Sequence, residues 1–302
     1  MKRILLNSIF ILVVSITFSQ SKINQFLKPS DTLNTSRRNA VIIAEASLAS
    51  MSLIALDQLW YKDYPRSKFH TVNDNSEWLQ VDKFGHAFSA YQLGKFGAHA
   101  LNWSGVNERD QLIYGATLGF VFLGAVEVFD GFSEEWGFSW GDIAANGVGT
   151  GLYIGQELLW HEQRIVMKYS FHQTQYASSS SDVLGDGISQ EFLKDYNGQT
   201  YWLSVNLHSF FKDSKIPKWF NVAFGYGAEG MISENSAEAN DANLYIEPYR
   251  QFYLSLDIDL SRIKTNSHVL RTLFDVFNMI KVPFPALEFN DKNGIIVHGI
   301  YF

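Results

Sequence analysis

The chain contains no cysteine among its 302 residues. That absence excludes disulfide bonds, thiolate zinc sites, a cysteine nucleophile and a lipid-modified cysteine within this sequence. Charged residues are also scarce, at 18% of the chain compared with about 25% in an average soluble protein. Aromatic residues make up 15%, so the composition excludes a disordered chain, which would be rich in charge and poor in aromatic rings.

The sequence has no long basic run. Its 24 Lys and Arg residues are outnumbered by 31 Asp and Glu residues, which gives a formal net charge of −7 at pH 7. A protein that binds a phosphate backbone needs a clustered positive surface, so nucleic acid is not an expected partner. The sequence also predicts no cofactor.

The N-terminus has the layout of a cleaved signal peptide. Lys2 and Arg3 precede an almost wholly apolar stretch over residues 4–18, and small polar residues follow at 19–21. This stretch is shorter than the about 20 apolar residues that a membrane span needs. We therefore predict a signal peptide over residues 1–20 and a mature protein that begins near Ser21 in the cell envelope. An uncleaved membrane anchor is the alternative.

The sequence changes character near residue 164. Residues 21–163 carry helical patterns, and residues 164–302 carry an alternation of apolar and polar residues that is typical of strands. These patterns predict an α+β fold, with a helical module of about four helices followed by an antiparallel β module, either a sheet or a small barrel. The predicted helices cover about 38–59, 82–102, 107–128 and 139–161. Asn107 with Asp110, and Ser139 with Asp142, have the spacing of a capping box at the starts of the third and fourth helices.

The predicted strands cover 165–176, 203–207, 219–231, 253–260, 283–290 and 294–302, and residues 178–182 are interpreted as a loop between strands. The last strand ends on Phe302, which resembles the sorting signal of outer-membrane proteins. Several glycines interrupt the predicted helices, among them Gly94, Gly119 and Gly149. Because glycine weakens a helix, we interpret them as points where helix backbones approach closely.

Three clusters of polar residues lie within or beside the apolar helices. Residues 82–86 read Asp-Lys-Phe-Gly-His, and residues 127–130 read Glu-Val-Phe-Asp. Residues 137–142 read Gly-Phe-Ser-Trp-Gly-Asp, with an asparagine four residues later. Positions three or four apart share one face of a helix, so each cluster presents its polar groups together. The candidate site residues are His86, Asp82, Lys83, Glu127, Asp130, Ser139, Asp142 and Asn146.

In order and spacing, these clusters resemble the YfiM-type envelope lipoproteins, a family of unknown function, and more distantly the VanZ-like membrane proteins. Residues 78–161 carry the resemblance. It implies an envelope location and brings no particular reaction with it. The present sequence departs from the family pattern because it has no cysteine to carry a lipid.

The candidate residues allow several kinds of chemistry. His86 is a candidate general acid–base, assisted by Glu127 or Asp130, and one histidine with carboxylates from Asp82 and Asp142 is a possible metal site. The pattern Gly-x-Ser-x-Gly around Ser139 matches a hydrolase motif. That motif requires a preceding strand, whereas turn-like residues precede Ser139, so a helix N-cap is the simpler interpretation.

A structural role for the same groups is the leading interpretation. Buried polar groups need partners, and these groups can serve as partners for one another. In that case Asp82 and Ser139 cap helices. Lys83 then pairs with Glu127 or Asp130, and His86 bonds to a carboxylate. The function that we predict first is a structural or adaptor role at the outer membrane, with membrane lipid or envelope proteins as partners.

The alternative is an envelope hydrolase or transferase that acts on lipid or cell-wall precursors, and the sequence leaves open whether the protein is an enzyme. An open cleft at the polar clusters would favour the enzyme, and a closed helix junction the structural role.

Overall fold

Four long helices precede a six-stranded sheet in the computed structural model, which describes residues 22–62, 64–233 and 247–302. The predicted signal peptide over residues 1–20 lies outside these ranges. The helices confirm the predicted α+β order. They are α1 (Thr35–Leu56), α2 (Val81–Trp103), α3 (Glu108–Asp130) and α4 (Trp140–Trp160).

Two helix starts follow the predicted capping pattern. The side chain of Asn107 accepts a 3.0 Å bond from the backbone N–H of Asp110 at the start of α3. Ser139 Oγ accepts a 3.1 Å bond from the backbone N–H of Asp142 at the start of α4. Ser139 also ends the short strand β2 (Phe138–Ser139), which pairs in parallel with β1 (Thr71–Val72). These caps fix where α3 and α4 begin.

Close backbone contacts hold α2 against α3 and α4. A Cβ atom built on Gly149 of α4 would lie 1.9 Å from the carbonyl oxygen of Ala87 in α2. A Cβ atom built on Gly119 of α3 would lie 2.3 Å from the carbonyl oxygen of Ala90 in α2. No side chain fits into either space, so glycine is required at these two positions.

Gly149→Ala is therefore expected to lower the melting temperature strongly, since the added methyl group forces two helix backbones apart. Gly151→Ala is the matched control on the same helix, because nothing lies within 4 Å of its built Cβ atom. Alanine there should raise stability by up to about 1 kcal/mol through helix propensity. Thermal unfolding of both variants checks this, and equal effects would contradict the proposed packing.

The second half of the chain forms a single antiparallel sheet in sequential strand order. Its edge strands are not paired with each other, so an open sheet, and not a closed barrel, is found. The strands are β3 (Ile165–Phe171), β4 (Gln199–Asn206), β5 (Phe220–Glu229), β6 (Tyr249–Ile258), β7 (Phe284–Asn290) and β8 (Gly294–Tyr301).

Short helices that the sequence interpretation missed connect the strands. The predicted loop over residues 178–182 is instead partly helical, because backbone bonds to the Ser180 carbonyl close a helical turn and the side chain of Leu184 is fully buried. The predicted strand 165–176 is shorter than expected, and β3 ends at Phe171. The additional helices are α5 (Ser181–Leu184), α6 (Ile188–Lys194), α7 (Leu207–Phe210) and α8 (His268–Phe277).

The sheet has an inverted polarity. In β6, the apolar side chains of Phe252, Leu254 and Leu256 are 52%, 36% and 41% exposed, whereas the intervening Ser255 and Asp257 are 4% and 0% exposed. We call the apolar side the outer face and the polar side the inner face. A sheet in water normally buries its apolar side, so this arrangement is the reverse of the usual one.

The inner face satisfies its polar groups internally. Lys168 Nζ lies 2.8 Å from Asp257 Oδ2, with both side chains fully buried. Ser204 Oγ donates a 2.6 Å bond to the same carboxylate oxygen. The sheet curls around this network so far that Thr200 of β4 and Tyr301 of β8 have their hydroxyl oxygens 3.0 Å apart.

The outer face is continuous across the strands. Tyr169, Tyr201, Tyr226, Phe252 and Phe289 are direct cross-strand partners from β3 to β7, and directly paired residues share a face. Helix α2 covers the first three of these rings, which are buried. The outer face of the remaining strands is exposed.

Two helices also expose apolar surface. By length and composition, α1 and α3 could cross a membrane, and only 6% and 28% of their most apolar windows are buried. Ile43 in α1 is 67% exposed and Val121 in α3 is 64% exposed. Contiguous exposed apolar surface marks contact with another protein or with a membrane.

Candidate functional site

The first and third polar clusters of the sequence converge on one ammonium group. Lys83 Nζ at the start of α2 lies 2.8 Å from Asp74 Oδ2, 2.8 Å from Asp142 Oδ1 and 3.1 Å from Asp82 Oδ2. The predicted partners of Lys83, Glu127 and Asp130, are not among these contacts. The prediction was wrong because Lys83 is directed toward the start of α4 and the segment that follows β1.

His86 lies one helical turn after Asp82. Its Nδ1 atom is 3.2 Å from Asn146 Oδ1 in α4. Its Nε2 atom lies 3.8 Å from Asp82 Oδ1, 3.8 Å from Glu127 Oε1 and 3.9 Å from Asp142 Oδ1. The three carboxylates act on the imidazole through charge, since these distances exceed hydrogen-bond length.

Ser139 links two of the clusters as an N-cap. In addition to its bond from Asp142, its Oγ donates a 2.6 Å bond to Asp74 Oδ1, and its backbone N–H donates a 3.1 Å bond to Glu127 Oε2. Its backbone is extended, with φ −102° and ψ 118°, unlike the strained turn of a nucleophile elbow. The geometry thus matches the N-cap interpretation and not the hydrolase motif.

Asp82 does not cap α2, contrary to the expectation from the sequence. The helix is preceded by three residues with left-handed backbone, Trp78, Leu79 and Gln80, with φ angles of 47°, 48° and 68°. Gln80 occupies the N-cap position without a side-chain bond, and Asp82 falls in the first turn. Such strain is typical of functional sites, and here it precedes the turn that carries Asp82 and Lys83.

Three site residues were missed by sequence reasoning. Asp74 is not among the candidate residues of the sequence, yet its side chain is only 15% exposed and bonds to Lys83 and Ser139. Tyr61 donates a 2.6 Å bond to Asp130, and Tyr196 donates a 2.9 Å bond to Asp82. No motif marks these residues, because they come from distant parts of the chain.

Burial and mutual repulsion raise the pKa values of three of the carboxyl groups toward neutral pH. Burial raises the pKa of Glu127 to about 8 and that of Asp130 to about 6. Burial, together with repulsion from Asp82, raises the pKa of Asp142 to about 7. Groups that titrate near pH 7 are suited to proton transfer.

The pKa values of His86 and Asp74 shift in favour of their charged forms. Burial would lower the pKa of His86, but the charges of Asp82, Asp142 and Glu127 outweigh it and raise that pKa. Burial likewise opposes ionisation of Asp74, but hydrogen bonds from Lys83 and Ser139 lower its pKa overall. The site therefore combines the ammonium of Lys83 and an imidazole whose pKa is raised with carboxyl groups that titrate near neutral pH.

The donor set allows a metal, but the position is already compensated. Asp82, His86 and Asp142 each offer a ligand atom within 4.8 Å of the others. The ammonium of Lys83 lies 2.8 Å from Asp142 and 3.1 Å from Asp82, so it already neutralises the charge that would attract a cation.

The site opens into two cavities. One, here called the acidic cavity, has a volume of about 390 Å³, and the second, the ring-lined cavity, has a volume of about 290 Å³. Asp82, His86, Leu193 and Tyr196 line both. The polar clusters therefore meet at an open cleft and not at a closed helix junction. The carboxyl groups that line the acidic cavity include Asp74, Asp82, Glu127, Asp130 and Asp142.

The region that carries the site matches a known family. Residues 71–155 match the family model DUF2279, described as a predicted periplasmic lipoprotein. No curated protein and no solved structure matches the chain significantly. The family match supports an exported protein of the cell envelope, as the signal peptide predicts. It covers α2, α3 and most of α4, and ends before the sheet.

Glu127→Gln is expected to stabilise the protein at alkaline pH. The pKa of this carboxyl group is 4.5 in the unfolded chain and about 8 in the folded protein. The folded state therefore loses stability as pH rises between these two values. The cost reaches at most about 5 kcal/mol, at about 1.4 kcal/mol for each pKa unit. Glutamine keeps the acceptor for Ser139 and does not ionise. Denaturant unfolding of both proteins at pH 5 and pH 9 measures the difference.

The exposed Glu134 provides the control, and Glu134→Gln should leave the pH dependence of stability unchanged. The stability difference between Glu127→Gln and wild type should be larger at pH 9 than at pH 5. Equal differences at the two pH values would contradict a buried, protonated Glu127.

Proposed function

We propose that the protein is an envelope enzyme, a hydrolase or transferase, in which His86 transfers protons to and from a bound ligand. One observation carries this proposal. His86 Nε2 makes no hydrogen bond within the part of the chain that the structure describes, while His86 lines both cavities. A ligand in the cleft therefore has a free imidazole nitrogen to bond to.

The surrounding groups support an acid–base role. Asn146 holds Nδ1 and so fixes the orientation of the ring. Asp82 and Asp142 stabilise the imidazolium form, and the protonated carboxyl of Glu127 supplies a second acid. Ser139 is occupied as a cap, so the geometry favours water or a second substrate as the nucleophile.

The resemblance to the YfiM-type and VanZ-like proteins supports only the envelope location in this proposal. The motif residues of that resemblance are the same residues that converge on Lys83 and His86.

A structural role is the second candidate, and the contacts of Lys83 favour it. One ammonium group joins the segment after β1, helix α2 and helix α4 through Asp74, Asp82 and Asp142. Such a junction would hold the helical part of an adaptor together without any chemistry.

His86→Asn distinguishes the two candidates. The enzyme proposal predicts that the variant accumulates to the wild-type level and fails to complement a deletion strain. It should be less stable than wild type at pH 5.5 and closer to it at pH 9. A histidine with a raised pKa stabilises the fold below the pKa of the unfolded chain, about 6.5, and this contribution disappears as pH rises through the folded pKa. Protein level, complementation and melting temperature are measured together.

The matched control is His161→Asn, because His161 is an exposed helix C-cap with φ 52° and asparagine tolerates that conformation. It should complement fully. Complementation by His86→Asn, or a phenotype that follows only a lower protein level, would reject the enzyme in favour of the structural role.

We also propose that the protein associates with the outer membrane through the outer face of the sheet and helix α1. Proteins of that membrane direct apolar residues to lipid and polar residues inward along each strand, and the sheet described above has this polarity. Lipid and envelope proteins are then the expected partners.

Membrane association is checked by fractionation. The wild-type protein should sediment with outer membranes after carbonate extraction. Leu254→Lys combined with Leu256→Lys should release it, because two charges then lie on the outer face, whereas Asp213→Lys at an exposed connection should not. Carbonate release of the wild-type protein would contradict the proposed association.

A further inference from the structure

A path of cavities leads from the surface to His86. The ring-lined cavity shares Tyr169, Phe192, Leu193 and Ile280 with a third cavity of about 540 Å³, which reaches Phe302 at the surface. We call these two cavities together the apolar groove. The groove runs between α6 and the sheet, and its inner end meets the acidic cavity at Asp82 and His86.

The tyrosine hydroxyls along the groove already have hydrogen-bond partners. The hydroxyl of Tyr169 donates a 2.9 Å bond to the Phe192 carbonyl, and the hydroxyl of Tyr201 donates a 2.7 Å bond to the side chain of Gln199. Tyr196 donates to Asp82. The groove therefore presents mainly ring faces and aliphatic carbons to an occupant. A polar ligand would lose its hydrogen bonds to water there without gaining new partners. A hydrocarbon chain has no such bonds to lose.

The inner end selects the polar part of the occupant by charge. Seven carboxyl groups line the acidic cavity, and the basic groups of Lys83 and His86 lie among them. Carboxylates outnumber these two basic groups even where Glu127, Asp130 and Asp142 are protonated, so an anionic head group is repelled there. An uncharged head can accept a proton from His86 or donate a hydrogen bond to a carboxylate.

We propose that the apolar groove binds the hydrocarbon chain of an amphiphile whose uncharged polar head lies beside Asp82 and His86. The inference deepens the proposed function, since it names the substrate class of the same site. Its geometric basis is the run of connected cavities, apolar at one end and acidic at the other.

The occupant can reach the groove without crossing polar surface. Tyr169 and Tyr201 line the groove and belong to the same outer face as Phe252 and Phe289, which are exposed. The groove is thus the part of the outer face that α2 and α6 cover. At the mouth of the groove the side chains of Ile188 and Phe302 are exposed, so a chain that enters there stays in apolar contact.

Photolabelling of the mature protein in amphipol tests the proposal. The probe is a monoacylglycerol with a diazirine at the end of its chain. We expect label in peptides that contain residues 188–193 and 279–280. Leu193→Asp should reduce this label about tenfold, which corresponds to about 1.4 kcal/mol. Leu158→Asp is the matched control, because both leucines lie in helices and are 64% exposed, and it should leave the label unchanged.

Two results would overturn the proposal. One is label that spreads over α1 and the exposed outer face and that does not differ between the two leucine variants. Both variants should melt at the wild-type temperature, so that a difference in label does not reflect unfolding. The other is equal or stronger groove labelling by a fatty acid with the same diazirine, whose head is anionic. His86→Asn should keep the label, so a failure of acid–base chemistry is distinguished from a failure of chain binding.

Discussion

The ammonium of Lys83 is the interaction on which the site depends. A partly buried carboxylate is costly unless a cation or several donors compensate it, and Lys83 compensates Asp74, Asp82 and Asp142 at once. Glu127 and Asp130 lie outside its contacts, so burial raises their pKa values. Asp142 contacts Lys83 and still has a raised pKa, of about 7, because burial and repulsion from Asp82 outweigh the attraction of the ammonium.

That convergence is possible only because the helix backbones nearly touch. Gly149 lies against Ala87, one residue after His86, and the same approach brings Asn146 of α4 to the imidazole. Glu127 reaches His86 from α3, which packs on α2 through Gly119. A larger residue at either glycine would move apart the groups that set the pKa of His86. Packing and electrostatics are therefore coupled at this site.

The sequence predicted the features that depend on local periodicity, and missed those that depend on distant contacts. The caps at Asn107 and Ser139 and the polar clusters are encoded within a few residues. The bonds of Asp74, Tyr61 and Tyr196 join segments far apart in the chain, and no spacing rule contains them. The alternation in β6 predicted two faces correctly, but a period of two does not say which face is buried. That choice depends on whether the surroundings are water or lipid.

The inverted sheet and the acid–base cluster become parts of one arrangement when the outer face is followed from strand to strand. The cross-strand row from Phe289 to Tyr169 begins in the open and ends beneath α2, where the rings form the wall of the groove. Beyond that wall, Asp82 and His86 mark an abrupt change from apolar to charged surroundings. An amphiphile has the same change within a single molecule, between its chain and its head. The surface that would hold the protein at a membrane is therefore continuous with the surface that would deliver a substrate to His86.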